Sequence, residues 1–213
     1  DHLIFNAFEG QIDTGKMMQA LLLKAQKAGV LILNGINCQS ISPDGTTVIL
    51  QDDISIQAKK VLIATNGFAK QLLPELAVQP ARAQVLITKA LPGLKIKGTF
   101  HYDKGYYYFR NVGKQLLFGG GRNLNFKGEE TDVMGLTRQI QNQLERLLRE
   151  KIIPGIPFEV EHRWSGIMGI GSEKMPIIKQ ITPRLFCAVR MGGMGIAIGS
   201  TVGEEAAQMI LQS

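Results

Sequence analysis

The chain has 213 residues, of which 45% are hydrophobic and 20% charged, proportions that exclude a disordered chain and leave room for a substantial buried core. Its net charge of +6 is carried by scattered lysines and arginines; no run of them makes a binding arm, so the charge reads as a solvated surface and nucleic acid is not the expected partner. Two distant cysteines, Cys38 and Cys187, make neither a disulfide framework nor a metal pattern, and no signal peptide or bilayer-length apolar run is present, so the expectation is a cytoplasmic protein with buried thiols and no membrane span.

In chain order, Thr14–Gly29 has helical spacing: Met17, Leu21, Ala25 and Ala28 fall on one face, Thr14 can cap the start and Gly29 can end it. Val30–Leu33 reads as a buried strand. Short strands are expected at Ile36–Ile41, Thr46–Leu50 and Ile54–Ile56, with turns at Pro43-Asp44-Gly45 and Asp52-Asp53. Lys59–Gly67 is a further apolar strand ending at a glycine. Helix, strand, meander and strand together make half of an α/β nucleotide-binding domain.

From Gln79 the pattern changes. Arg82–Thr88, Gly98–Asp103, Tyr106–Asn111 and Gln115–Gly119 read as successive strands with polar turns. A helix is expected over Val133–Arg149, with Leu136, Ile140, Leu144, Leu147 and Leu148 on one stripe and Pro154 and Pro157 stopping it. Phe158–Trp164 is another strand. The block predicts a mainly antiparallel sheet with a helix packed on one face.

Leu185–Arg190 is an apolar strand that runs into four glycines, Gly192, Gly193, Gly195 and Gly199, and Ser200–Leu211 reads as a closing helix. Glycines at a strand-to-helix turn let the backbone approach a ligand, and free N–H groups at a helix start favour negative charge. A tight turn chosen for packing is the alternative for any one glycine pair. No Ser-His-Asp or Cys-His set and no metal-ligand spacing stands out; His2 is near a terminus, and His101 and His162 are each alone in strands and read as structural.

The closing segment resembles the end of the D-amino-acid oxidase-like flavoprotein family, which includes glycine oxidase and sarcosine oxidase. Five further stretches match that family in order. Glu9–Asp13 before a helix resembles the segment preceding its third flavin-domain strand, and Val61–Gly67 is similar to its "vvvAaGaw" strand. Pro80–Leu86 resembles "P-x-R-G-Q", and Tyr106–Arg110 with Leu116–Gly120 resembles the "yyxxP…lllGgt" hairpin. Trp164–Met168 through Met175–Ile178 resembles "WaGlRP…DglPiiG".

The resemblance implies an α/β plus α+β fold: a partial FAD-binding Rossmann-like domain (residues 1–78 and 164–213) and a substrate domain (79–163), the latter an antiparallel sheet covered by a helix. It implies an oxidoreductase that moves a hydride from the carbon beside an amine nitrogen to flavin. The protein then supplies binding, orientation and electrostatics for the cofactor's chemistry. Cofactor contacts are implied for Ile36, Ala64, Thr65, Asn66, Gly67, Gly166, Gly192, Gly193, Met194, Gly195 and Ile196. The backbone of the last five, with the dipole of the following helix, would stabilise the reduced flavin's anionic edge. Substrate contacts are implied for Tyr106, Tyr108, Met168 and Arg190, the tyrosines by period two on one strand face, with aromatic packing as their alternative. No metal is implied, and Trp164 reads as domain-boundary packing.

Two departures qualify the match. Folds of this type open with a strand and G-x-G-x-x-G, which holds a pyrophosphate at a helix start; no such motif occurs here. The expectation is a C-terminal part of a longer flavoenzyme, with about a third of the polypeptide preceding Asp1 and FAD held poorly or not at all by this chain alone. The second departure is Met168, which stands where amino-acid-oxidising members carry an arginine that pairs with the substrate carboxylate. Arg190 is a replacement for it or a structural arginine. The departure argues against an ordinary α-amino acid, and the resemblance implies an amine or amino-acid-like substrate. A non-catalytic ligand- or partner-binding module of the same fold, and a tRNA-modifying oxidoreductase domain, are the alternatives. Oligomeric state is not read from the sequence.

Overall fold

The computed structural model describes residues 4–213, so His2 lies outside the described residues. The chain divides into two compact units. One takes the described residues up to Leu21 with Arg82–Glu129 and Val133–Gly166; the other takes Leu22–Ala81, Glu130–Asp132 and Ile167–Ser213.

In the second unit, β1 (Cys38–Ile41), β2 (Thr47–Leu50) and β3 (Ser55–Gln57) form an antiparallel meander. Asp44 closes the first turn by accepting bonds from the Thr46 amide and hydroxyl. A second sheet has the order β10 (Ile177–Gln180), β11 (Leu185–Val189), β4 (Val61–Ile63). β11 runs parallel to β4, with Leu185, Phe186 and Cys187 opposite Val61, Leu62 and Ile63, and antiparallel to β10. All five β11 residues are buried. A central strand covered on both faces must read as a continuous apolar run, and Leu185–Val189 does. On one face Leu185, Cys187 and Val189 pack with Ile63, Ala69, Leu73 and Val78. On the other, Ala188 meets Val202 and Ala206 of α3 (Gly195–Gln212).

The first unit is built on a five-stranded sheet in the order β6 (Thr99–Tyr102), β7 (Tyr107–Val112), β8 (Gln115–Gly120), β5 (Gln79–Thr88), β9 (Val160–Ile170). β5 and β9 each continue into the second unit. The helix α2 (Arg138–Leu147) lays Ile140, Leu144 and Leu147 on Leu86, Leu116, Tyr107 and Phe118, and a π-helical turn, Leu148–Ile152, adds Leu148 before Pro154 ends the run. The α/β plus antiparallel α+β expectation holds.

Several elements differ from the sequence reading. Val30–Leu33 is not a strand: it has no ladder partner, and Leu31 is 81% exposed. Apolar content marked it as buried, yet a strand exists only where a neighbour takes its hydrogen bonds. α1 (Thr14–Lys27) has the expected period but buries none of its residues, and its cap is Asp13, whose carboxylate accepts the Lys16 amide, in place of Thr14. That bond holds the Asp13 carboxyl below its usual range. α2 begins at Arg138 rather than Val133, which leaves Leu136 outside the helix and exposed. α3 starts at Gly195, five residues before the expected Ser200, because Gly195 and Gly199 sit inside the helix. β10 was not foreseen as a strand, and β9 runs six residues beyond Trp164, itself 41% exposed.

Candidate functional site

The β11-to-α3 turn carries the strongest concentration of unusual backbone. Arg190, Gly192 and Gly193 all have left-handed φ, at 66°, 59° and 85°. For glycine this conformation is free of steric cost, whereas Arg190 must be held in it by its surroundings. The surroundings are specific. The guanidinium, 6% exposed, donates from Nε to the Met175 carbonyl at 2.8 Å and from Nη1 to the Ala77 carbonyl at 3.1 Å. From Nη2 it reaches the Glu173 carboxylate, also at 3.1 Å. Gly171 makes room for it, since a Cβ there would lie 2.7 Å from Arg190 Cδ. All three guanidinium nitrogens are thus engaged by the protein.

Two other segments of the same unit meet this turn. The end of β4 leads through Ala64 and Thr65, both exposed, into the 3-10 turn Asn66–Gln71. Asn66 has φ 47°, and its Oδ1 accepts the Arg190 and Met191 amides, each at 3.1 Å. Gly67 is buried against the end of β9, where a Cβ would lie 2.6 Å from the Met168 carbonyl oxygen. From β9 itself, the Gly169 carbonyl accepts the Gly192 amide at 2.9 Å, and the Met168 sulfur lies 3.4 Å from the position a Gly193 Cβ would take.

Asn66, Gly67, Met168, Arg190, Gly192 and Gly193 are therefore brought together. Sequence reasoning missed Gly169 and Gly171, which admit Asn66 and Arg190. Their only signal was the Gly-Ile-Gly spacing beside Met168.

This junction presents outward the backbone of Gly192 and Gly193 together with the Met194 and Ile196 side chains. Met194 caps α3 with no side-chain bond, and Gly192, Gly193, Met194 and Ile196 are exposed. A Cβ at Gly192 would meet nothing within 4 Å. Gly192 donates to Gly169 and Met194 to Met191, which leaves the Gly193, Gly195 and Ile196 amides at this uncapped helix start, and such donors suit an electron-rich carbonyl or anionic ring edge. The donor set therefore fits the pyrimidine edge of a flavin. Ile36, in the same unit, is exposed in the connection before β1.

Tyr106, Tyr108 and Gly166 belong to the other unit. Tyr106 is outside β7, in the turn over Asp103–Tyr106, because Asp103, Lys104 and Gly105 all adopt left-handed φ and prolong the turn. The expected shared strand face is thus not formed. The Tyr106 ring lies edge-on to Phe126 at 6.2 Å. Tyr108 is in β7 opposite Gly119, and its ring occupies the space a Gly119 Cβ would need, 2.7 Å from Cζ and Oη. Burial pushes its phenol above the ordinary range. Gly166 is in β9 with nothing within 4 Å of an added Cβ.

The same unit contains a buried ion pair. Glu129 accepts Arg82 Nε and Nη2, both at 2.9 Å, and Gln84 Nε2 at 3.0 Å. Gln84 in turn accepts the Thr137 amide at the start of α2. Among the described residues no group of three or more His, Cys, Asp or Glu is placed to hold a metal ion, and no helix is long and apolar enough to cross a membrane.

A family model described as FAD dependent oxidoreductase matches residues 3–209. The probable oxidoreductase OrdL of Rhizobium meliloti is 26% identical over 212 residues, covering 95% of this chain and 47% of that protein. The bifunctional protein ThiO/ThiG of Synechocystis is 36% identical over 177 residues, 80% of this chain and 26% of that protein. The chain thus spans less than half the length of either relative. Among solved structures, glycine oxidase from Geobacillus kaustophilus matches with a TM-score of 0.74 at 19% identity, over 92% of this chain and 53% of that one. L-proline dehydrogenase from P. horikoshii gives 0.73 at 17%, over 93% and 55%. At these identities the structural likeness is one of fold. The family match covers nearly the whole sequence, and the chain belongs to the D-amino-acid oxidase-like (DAO) family of FAD-dependent oxidoreductases.

Proposed function

We propose that this chain forms the flavin-edge and substrate-sheet portion of an oxidoreductase that oxidises an amine or amino-acid-like substrate. The observation that carries the reading is the glycine-rich, uncapped start of α3, held by the Asn66 and Gly169 segments in a chain of this family. FAD, when bound, supplies the hydride acceptor. This chain's own residues bind and orient it. The Gly192–Ile196 segment would hold the ring edge where reduction builds negative charge, offering the Gly193, Gly195 and Ile196 amides, and the α3 dipole would add to that field. Ala64–Gly67 would run beneath the cofactor, and Ile36 and Gly166 would be further contacts. In this reading residues 1–78 and 164–213 serve the flavin and residues 79–163 the substrate.

Met168 offers a thioether where a carboxylate would need a cation, and Arg190 spends its donors on Ala77, Met175 and Glu173. Arg190 therefore acts as a positioning residue for the turn. Tyr106, half-exposed, is the better placed of the two tyrosines to meet a small molecule, since Tyr108 is committed to Gly119. The reading is tested on the full gene product by its visible absorbance after FAD addition, followed by an anaerobic screen of amines and amino acids for bleaching of the flavin bands. Bleaching by at least one amine is the expected result. A colourless product that takes up no FAD would remove the enzyme reading and leave a ligand-binding module of the same fold.

A further inference from the structure

We propose that Asn66 is the positioning residue that sets the cofactor-facing turn, acting through two backbone amides and through no contact of its own with substrate. The role rests on the flavin reading above; the clamp itself rests on geometry alone. β11 leaves its sheet at Val189, so the next amides have lost their ladder partners. Both are taken by one atom, Asn66 Oδ1, at 3.1 Å from Arg190 N and 3.1 Å from Met191 N. A single acceptor bridging consecutive amides fixes the orientation of the peptide between them. It therefore fixes the direction in which Gly192 and Gly193 leave.

Three features keep that oxygen in place. Asn66 has φ 47°, a region in which a short polar side chain is among the few tolerated besides glycine. Gly67, immediately after it, is seated on the Met168 carbonyl, so the Asn66 backbone cannot slide. Gly169 leaves the space the side chain fills, as a Cβ there would lie 2.5 Å from Asn66 Oδ1. Gly169 also accepts the Gly192 amide through its own carbonyl, so neighbouring groups grip the turn on both sides of Met191. The left-handed φ of Arg190, uncommon for a long side chain, is the conformation these bonds enforce from the backbone side, as Ala77, Met175 and Glu173 do from the guanidinium side.

The test uses Asn66→Gly, which keeps the left-handed backbone and removes the acceptor, and Asn66→Asp, which keeps an acceptor oxygen. In the 213-residue chain, amide exchange followed by NMR should be ~10-fold faster at Arg190 and Met191 in Asn66→Gly, the equivalent of one or two neutral hydrogen bonds. Protection of Phe186–Ala188 should be unchanged, and Asn66→Asp should restore protection at both amides. Unchanged exchange at Arg190 and Met191 in Asn66→Gly would overturn the clamp. In the full gene product, Asn66→Gly should weaken FAD binding by roughly 10-fold and shift the visible flavin bands. Faster exchange with unaltered FAD affinity and spectrum would overturn the positioning role while leaving the flavin reading intact. A gene product that never takes up FAD overturns that reading, and the role with it.

Discussion

At the scale of single residues, glycines decide whether the junction can form, and they do so in opposite ways. Gly67 is packed against backbone: an added Cβ would meet Met168 O at 2.6 Å, and a carbonyl in a strand cannot swing aside as a side-chain tip can. Gly67→Ala should therefore cost about 1–3 kcal/mol, the range for overpacking a filled site. Gly199 lies inside α3 with nothing within 4 Å of an added Cβ. Gly199→Ala should stabilise by about 0.5–1 kcal/mol through helix propensity. Urea unfolding of the two variants checks both signs, and equal effects would mean that packing at residue 67 is not tight. The contrast also marks what could be read from sequence. The glycine cluster at 192–195 was legible because glycines beside an apolar strand announce a turn. The asparagine clamp and the spaces at Gly169 and Gly171 were not, because they depend on which segments meet in the fold, Asn66 and Arg190 being 124 residues apart. Arg190 was visible as a residue of interest, but its partners Ala77 and Met175 bond through carbonyls, which leave no trace in side-chain identity.

At the scale of elements, the Arg82–Glu129–Gln84 cluster joins the middle of β5 to the approach to α2. Burial by itself would raise the Glu129 carboxyl, but bonds from Arg82, Gln84 and Thr137 outweigh it and hold the group below its ordinary range. A carboxyl that ionises more readily when folded contributes its full stability above the unfolded value of ~4.3. That contribution is lost as pH falls through the lower folded value. Glu129→Gln should flatten this acid limb in unfolding measured from pH 7 down to the limit of the native state. Glu129→Ala should cost about 3–5 kcal/mol, because it strands the largely buried Arg82 guanidinium. An acid limb identical in wild type and Glu129→Gln would show that the pair does not govern acid stability. β5, β7, β8 and most of α2, all read from the sequence period, have an apolar face with a partner within the unit. Leu144 and Leu147 rest on Leu116 and Phe118, and the period is satisfied. Val30–Leu33 has an apolar run with no ladder partner among the described residues, so pattern alone misjudged its burial.

At the scale of the whole molecule, apolar surface is unevenly distributed. Phe5, Phe8 and Leu31 are 82%, 100% and 81% exposed, and Leu21, Leu23, Val30 and Leu33 each show half or more of their surface. Scattered single apolar residues are ordinary on a protein surface, but a stretch this dense in exposed large side chains is where a hydrophobic probe or a second copy of the chain adheres. The 213-residue chain should therefore bind the dye ANS in its native state and self-associate as its concentration rises. Replacing Phe8 and Leu31 by serine should reduce both effects and leave the unfolding free energy in urea within about 0.5 kcal/mol of wild type, as expected where no buried contact is lost. The comparison separates two physical situations that dye binding alone would confuse. A native state with exposed apolar side chains keeps a cooperative transition and loses dye as those side chains are removed. A loosened core would bind dye whatever stands at residues 8 and 31, and would lose its near-UV dichroism. The buried β11 and the close-packed cluster of Leu86, Phe118 and Leu144 favour the first situation. Sedimentation velocity beside ANS titration of the double variant would decide between them.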